Sequence, residues 1–359
     1  MKRVHNYYPG PAALPLEALE YAQKEFIDFQ GTGMSLLETS HRSKEYEEVH
    51  DESIALIRQM LKLPDNYHVM WLQAGASMQF AMIPMNLLGG DKSADYIMTG
   101  FWSERAVKEA GILGNAREAA SSAEDGYTYI PKKLDLDPNA EYVHVTSNNT
   151  IYGTQFFDFP DTGDVPLVAD MSSDILWRYI DVNQFGIIYA GAHKNLGPSG
   201  ATLVIMRDDI LAKCKPDLPT MLKYSTHVEN NSMFNTPPTF TIYIVRNVLR
   251  WIQDKGGPDA MEKMNRRKGE ILYGFMDSSD GFYDCPIRKE DRSLMNVVFS
   301  LPSEELEQKF VAQGREQGFI GLGNRAPRWH CRITMYNAIG IESVEDLVGF
   351  MKDFMARNG

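Results

Sequence analysis

The sequence predicts an α/β fold: a large domain built on a mostly parallel sheet of the seven-stranded type with helices on both faces, followed by a smaller α+β domain. Three observations predict it. Between residues 67 and 207, short apolar runs alternate with amphipathic segments, the pattern of buried parallel strands joined by helical crossovers. At 359 residues the chain exceeds the roughly 250–300 residues at which one hydrophobic core stops growing. Past residue 260 the character changes to long polar helices alternating with two isolated strands. The expected division is 16–260 for the large domain, with 1–15 and 261–359 forming the small one.

The elements follow in order. LEALEYAQKEFIDF (16–29) places Leu16, Leu19, Ala22, Phe26 and Phe29 at helical spacing, with Pro15 tolerated at the start. In 43–61, Ser43 can cap a helix whose buried face is Tyr46, Val49, Leu56, Ile57 and Met60. YHVMWLQ (67–73) reads as a strand and 76–88 as a helix that Pro84 should kink. SADYIMTG (93–100) is a strand and 102–114 a helix ending near Gly114. Strands are expected at 141–147, 165–172, 186–190 and 201–207. In the C-terminal part, strands at 296–302 and 330–337 alternate with helices in what reads as a small antiparallel sheet.

Composition narrows the partners. A net charge of −12 argues against duplex nucleic acid and anionic membranes. Three separated cysteines without a CxxC argue against a disulfide framework and a zinc site, and suit a reducing compartment. The N-terminal MKRVHNYYPGPAALP has no apolar core of signal-peptide length, and no apolar run approaches the ~20 residues of a membrane span, so a cytoplasmic protein is expected.

The chemistry lies at strand ends, where open parallel sheets gather ligands. GAS (75–77) follows a strand and opens a helix, so its backbone N–H groups can reach an anion; an ordinary strand-to-helix turn needs the same small residues. Asp170 ends the apolar run VPLVA, where a carboxylate needs a partner or serves a turn. Lys194 sits in YAGAHKNLGPSG, just past the strand GIIYA. A lysine, an acid and an anion cradle at neighbouring strand ends are the parts of a pyridoxal phosphate site: the lysine forms the Schiff base, the acid keeps the pyridine nitrogen protonated, and the cradle holds the phosphate. Trp102 can stack on the ring or simply pack in the core.

These residues lie in a set of collinear motifs: GPAALP (10–15), GMSLLETSHRSKEY (33–46), LQAGASMQFAMIPMNLL (72–88), TGFWSERAVKEA (99–110), TSNNTIYGTQF (146–156), VADMSSDILWRYIDV (168–182), YAGAHKNLGPSG, NNSMFNTPPTF (230–240) and MYNA (335–338). Through them the chain resembles, over nearly its whole length, the phosphoserine aminotransferase family of class V pyridoxal-phosphate enzymes with the aspartate-aminotransferase-like fold (fold type I). The resemblance implies a transaminase, with pyridoxal 5'-phosphate as cofactor, that interconverts L-glutamate and 3-phosphohydroxypyruvate with 2-oxoglutarate and O-phospho-L-serine. Phosphohydroxythreonine of pyridoxine biosynthesis is a second substrate for some members. It implies Lys194 as the Schiff-base lysine, Asp170 as the pyridinium partner, Trp102 as the stacking aromatic, Thr150 near the ring oxygen, and Ala76 and Ser77 in the phosphate cradle. Asn235 and Thr236 would reach the cofactor of a neighbouring subunit, hence a homodimer. Arg332 would grip the substrate α-carboxylate, and His41 and Arg42 lie in the segment that meets the distal anion.

Two departures stand out. The residue before the lysine is usually glutamine and here is His193, read as a neutral donor to phosphate; a protonated imidazole would instead make cofactor binding pH-dependent. The usual His-Arg pair before the MR motif is replaced in GLGNRAPRWHCR (321–332), where a one-residue shift puts Arg325 in the arginine's place and Asn324 in the histidine's, with Arg328 and His330 nearby. Altered distal specificity, or a silent cofactor-binding scaffold, is the alternative. A cysteine desulfurase would need a mobile thiol, and Cys331 reads as a packed residue. A nicotinamide enzyme is disfavoured because no GxGxxG follows the first strand.

Overall fold

Successive side chains of a strand point to opposite sheet faces, so a central strand covered on both sides must be apolar at nearly every position. The computed structural model, which describes residues 3–324, 326 and 329–359, shows this arrangement. After β1 (His5–Asn6), α1 (Leu16–Glu25) and α2 (Lys44–Met60) come β2 (Tyr67–Gln73), α3 (Ala76–Leu87), β3 (Ser93–Met98), α4 (Phe101–Leu113), β4 (Asn115–Ser121), β5 (Val143–Thr146), β6 (Leu167–Asp170), β7 (Phe185–Gly191) and β8 (Ala201–Arg207). These strands form one seven-stranded sheet in the order β2-β8-β7-β6-β5-β3-β4, parallel except for β8, which runs against both its neighbours. In β2, Val69 and Trp71 join the core on one face, and Met70 and Leu72 the core on the other.

Helices close each face. Ser43 caps α2 through the N–H of Tyr46, and α2 packs its apolar stripe with α1 and α7 (Thr239–Asp254) on the first face. On the second face lie α3, α4 and the short α6 (Tyr224–Glu229), after the single-turn α5 (Asp208–Leu211). The expected kink does not break α3, which continues past Pro84 to Leu87. Pro84 sits in the last turn, so only the bond to Phe80 is forgone. The first helix stops at Glu25, and Phe29 instead anchors a short turn with Gln30 in the left-handed region. β4 was not foreseen: NAREAAS is an edge strand, half exposed, with too few apolar residues to signal itself.

The remainder comprises α8 (Gly257–Asp277), β9 (Asn296–Phe299), α9 (Glu304–Glu316), β10 (Phe319–Ile320), β11 (Cys331–Thr334) and α10 (Ile341–Asn358). β9 and β11 pair antiparallel, whereas β10 pairs in parallel with β1 from the chain start. Their apolar side chains, with those of α8, α9 and α10, form a separate core. No helix among the described residues is long and apolar enough to cross a membrane.

Candidate active site

β2, β3, β5, β6 and β7 all point the same way, so their carboxyl ends share one edge of the sheet. A cavity of about 840 Å³ opens there, lined among others by Trp102, Thr150, His193, Lys194 and Arg332. The structure therefore brings five of the sequence-derived site residues together, and Asp170, 5 % exposed at the end of β6, lies near enough to Lys194 for their charges to interact.

Local hydrogen bonds explain these positions. At the end of β6, Asp170 accepts the N–H of Ser172 at 2.9 Å, and the Ser172 hydroxyl accepts the N–H of Gly191 at 3.0 Å, tying the ends of β6 and β7 together. Ser103 accepts the N–H groups of Thr99 and Gly100, fixing the start of α4. A Cβ on Gly100 would come within 2.9 Å of the Asn149 amide oxygen, so only glycine lets α4 begin here. Trp102 is thereby turned into the cavity, where its Nε1 donates to the Thr150 hydroxyl at 3.0 Å. Arg332, buried in β11, donates to the Thr150 carbonyl at 2.8 Å. Thr150 thus bridges Trp102 and Arg332 through its hydroxyl and its carbonyl.

The electrostatics weaken the charged form of the amine. Lys194 Nζ lies 5.6 Å from the Trp102 ring centroid. Burial pulls its pKa down to about 8, opposed by the charge of Asp170 and reinforced by that of Arg332. Burial pushes the Asp170 carboxyl up, countered by Lys194 and Ser172. His193 is pulled down to about 4, first by burial and then by Lys194, so the imidazole is neutral near pH 7. Its ring is wedged between two glycines: a Cβ on Gly10 or on Gly191 would approach it to 2.9 Å, and the one on Gly191 would also lie 3.5 Å from the Ala76 nitrogen. The imidazole therefore sits against the amino end of α3, where Ala76 and Ser77 present their N–H groups.

This donor set fits pyridoxal phosphate. Lys194 makes no side-chain hydrogen bond among the described residues, the indole offers a flat face to it, Asp170 is a buried acid with spare acceptor capacity, and the α3 terminus with His193 supplies neutral donors for a phosphate.

Other expected residues lie elsewhere. Asn235 and Thr236 are exposed, and the Thr236 carbonyl accepts from Gln73, which precedes the α3 terminus. His41 and the exposed Arg42 sit at the start of α2 and do not line this cavity. Arg325 and Arg328 fall outside the described residues. Asn324 lines the cavity and donates to the Ile151 carbonyl. His330, near the expected distal-anion residues in sequence, pairs with the buried Glu307 at 2.7 Å. Cys331 is fully buried with its thiol pushed upward, unsuited to a mobile nucleophile.

The sequence reading passed over Tyr8, Phe101 and Tyr152, which also line the cavity. Only the enclosing motifs hinted at the last two. It also missed Asp174, a second buried acid that accepts from Ser147 and Gln155 and is pushed up to about 7 by burial. Its spacing one turn after Asp170 was the available signal.

Comparison with known proteins agrees with this geometry. The family model for aminotransferase class V matches residues 4–318. A phosphoserine aminotransferase of Geobacillus kaustophilus is 53% identical over 359 residues, 99% of each chain. The solved phosphoserine aminotransferase of Bacillus circulans subsp. alkalophilus superposes with a TM-score of 0.98 at 50% identity, covering 100% of both chains. A pyridoxal-phosphate-bound phosphoserine aminotransferase from Trichomonas vaginalis gives 0.92 at 35% identity, covering 98% of this chain and 100% of that one.

Proposed function

The chain belongs to the phosphoserine aminotransferases of the class V aminotransferase family, pyridoxal-phosphate-dependent transaminases, and from that membership we propose its reaction and the roles of its residues. The amino group of L-glutamate passes to 3-phosphohydroxypyruvate, giving 2-oxoglutarate and O-phospho-L-serine, a step of serine biosynthesis. The observation that carries this is the convergence of Lys194, Trp102 and Arg332 on one cavity, with the buried Asp170 interacting with Lys194.

Bound pyridoxal phosphate supplies an aldehyde that exchanges amino groups and a ring that takes up electron density. Lys194 would anchor it, Trp102 and the Thr150 hydroxyl would hold its ring, Asp170 would keep the ring nitrogen protonated, and Ala76, Ser77 and His193 would hold its phosphate. Lys194 Nζ would take the proton from the substrate α-carbon and later return one, work suited to an amine whose charged form burial weakens, with its pKa lowered to about 8. Arg332 binds the α-carboxylate that both substrates share, and a bidentate pairing fixes the angle of the Cα–H bond to Nζ.

Both substrates carry a second anion. His41 and Arg42 are assigned to it, supplied by a second copy of the chain, as are Asn235 and Thr236 at the phosphate. Exposed Phe26, Ile27, Met34, Leu37, Met78 and Phe234 support a homodimer, since all flank these segments or the α3 terminus and a monomer rarely leaves such side chains in water. The same pocket would admit phosphohydroxythreonine, and a cytoplasmic setting suits the free cysteines.

The assay of purified protein with glutamate and 3-phosphohydroxypyruvate tests the reading; turnover no better than with unphosphorylated keto acids would overturn it. Arg42→Ala should raise KM for 3-phosphohydroxypyruvate by about 10–100-fold, the loss expected for one desolvated charge pair, and affect an unphosphorylated, monocarboxylic keto acid far less. Equal losses would remove Arg42 from the distal pocket.

A pH dependence follows from the lowered pKa of Lys194. In cofactor-free protein the neutral, reactive amine predominates above about 8 rather than above 10.5. Acylation at residue 194, followed by mass spectrometry of the digested protein, should therefore rise with pH and level off near there. A profile still climbing steeply at about pH 9.5, as for an ordinary lysine, would contradict the assignment.

A further inference from the structure

A second buried lysine lies outside the cavity. Lys268, in the middle of α8, is fully buried, and its Nζ donates to the carbonyl oxygens of Met335 at 2.8 Å and Tyr336 at 3.0 Å. No carboxylate pairs with it among the described residues, and burial alone pulls it down to about 7. Burying an amine costs several kcal/mol, and an apolar side chain of equal length would fill the space without that cost. What the amine supplies uniquely is donors aimed at two consecutive carbonyls.

Those carbonyls belong to a segment that touches three walls of the active site. It begins three residues after Arg332 on the same chain. The N–H of Asn337 donates to the side-chain oxygen of Asn195 at 3.0 Å, and Asn195 directly follows Lys194. The Tyr336 hydroxyl donates to the carbonyl of Pro9 at 2.9 Å, and Pro9 lines the cavity beside Gly10, which packs on His193. One turn before Lys268 on α8, Asn265 donates to the Asn337 side-chain oxygen at 2.8 Å. The Asn337 amide nitrogen donates in turn to the Leu176 carbonyl at 3.0 Å, in the loop after Asp170.

Resting on the transaminase reading above, we propose that Lys268 is a positioning residue for the reaction: with Asn265 it pins segment 335–337, and this segment sets the separation between Arg332, which holds the substrate carboxylate, and Lys194, which moves the α-proton. A relay of short, buried hydrogen bonds transmits position because each member has one satisfied arrangement, and a misplacement of about 1 Å at the reacting atoms can cost as much as 10²-fold in rate.

The test uses holoenzyme carrying Lys268→Met, which keeps length and apolar volume but removes the donors, and Asn265→Leu, which leaves Lys268 in place. Each should raise KM for glutamate by about tenfold, with a smaller fall in kcat, because carboxylate docking and proton transfer no longer share one geometry. Each should also move the pKa of the bound cofactor's visible absorption band by about half a unit or more, since Lys194 shifts against its neighbours. A lysine that only holds the fold together would lower the melting temperature and leave both readouts unchanged. Folded variants with KM within about twofold of wild type and an unmoved spectral pKa overturn the proposal. If Lys268→Met does not fold, the Asn265→Leu result decides. A wild-type protein that binds the cofactor without transaminating would instead sink the functional reading, and the spectral pKa would still decide the positioning role.

Discussion

Replacing Lys194 by alanine is expected to lower transamination by more than about 10⁴-fold, because the two functions proposed for this amine, covalent anchoring and transfer of the α-proton, would leave together. It is the one lysine among the described residues that line the cavity, and the neighbouring His193 is neutral and held between Gly10 and Gly191. Neither it nor Arg332, a permanent cation committed to the Thr150 carbonyl, can take over proton transfer. The visible absorption of the Lys194-bound cofactor should disappear from the same preparation. Added small primary amines should restore part of the proton transfer, since the cavity that housed the side chain remains. Activity within about tenfold of wild type would show that another group moves the proton.

Asp170→Asn should cost about 10²–10³-fold in kcat, the effect of removing one preorganised charge from a buried site. The substitution keeps shape and the bond from Ser172, so cofactor retention should suffer far less than turnover. The carboxylate is 5 % exposed, and the charge of Lys194 opposes the burial that raises its pKa. An amide there accepts a hydrogen bond but cannot stabilise a protonated ring nitrogen. Comparing kcat with the rate of α-hydrogen exchange in deuterium oxide locates the loss, which should fall on exchange as strongly as on turnover. A loss below about tenfold would remove Asp170 from the ring nitrogen.

Lys194 and Asp170 were legible for one reason: Asp170 ends an apolar run and Lys194 lies just past one, and a charged group at the lip of a buried strand must find a partner. The parallel sheet was legible for the same reason: β5, β6 and β7 are buried at every position and can only be central. β4 was not, because an edge strand with one half-wet face has a mixed composition that reads as loop. Arg332 was identified through resemblance, and its bond to Thr150 spans 182 residues of sequence, which no local pattern encodes. His330 shows the converse: two residues before Arg332 in sequence, it pairs with Glu307.

By itself the sequence determined the central strands and the helices between them, that strand ends carry a lysine and an acid, and which family's motifs they form. These properties are local: periodicity of burial and the cost of stranding charge follow from a few neighbouring residues. Only the tertiary structure decided that Trp102, Thr150 and Arg332 form one hydrogen-bonded row, that His193 is neutral between two glycines, that Asp174 is a second buried acid, and that Lys268 grips the segment after Arg332. Such pairings depend on the separation of groups more than a hundred residues apart in many cases, and hydrogen bonding and desolvation change steeply over an ångström.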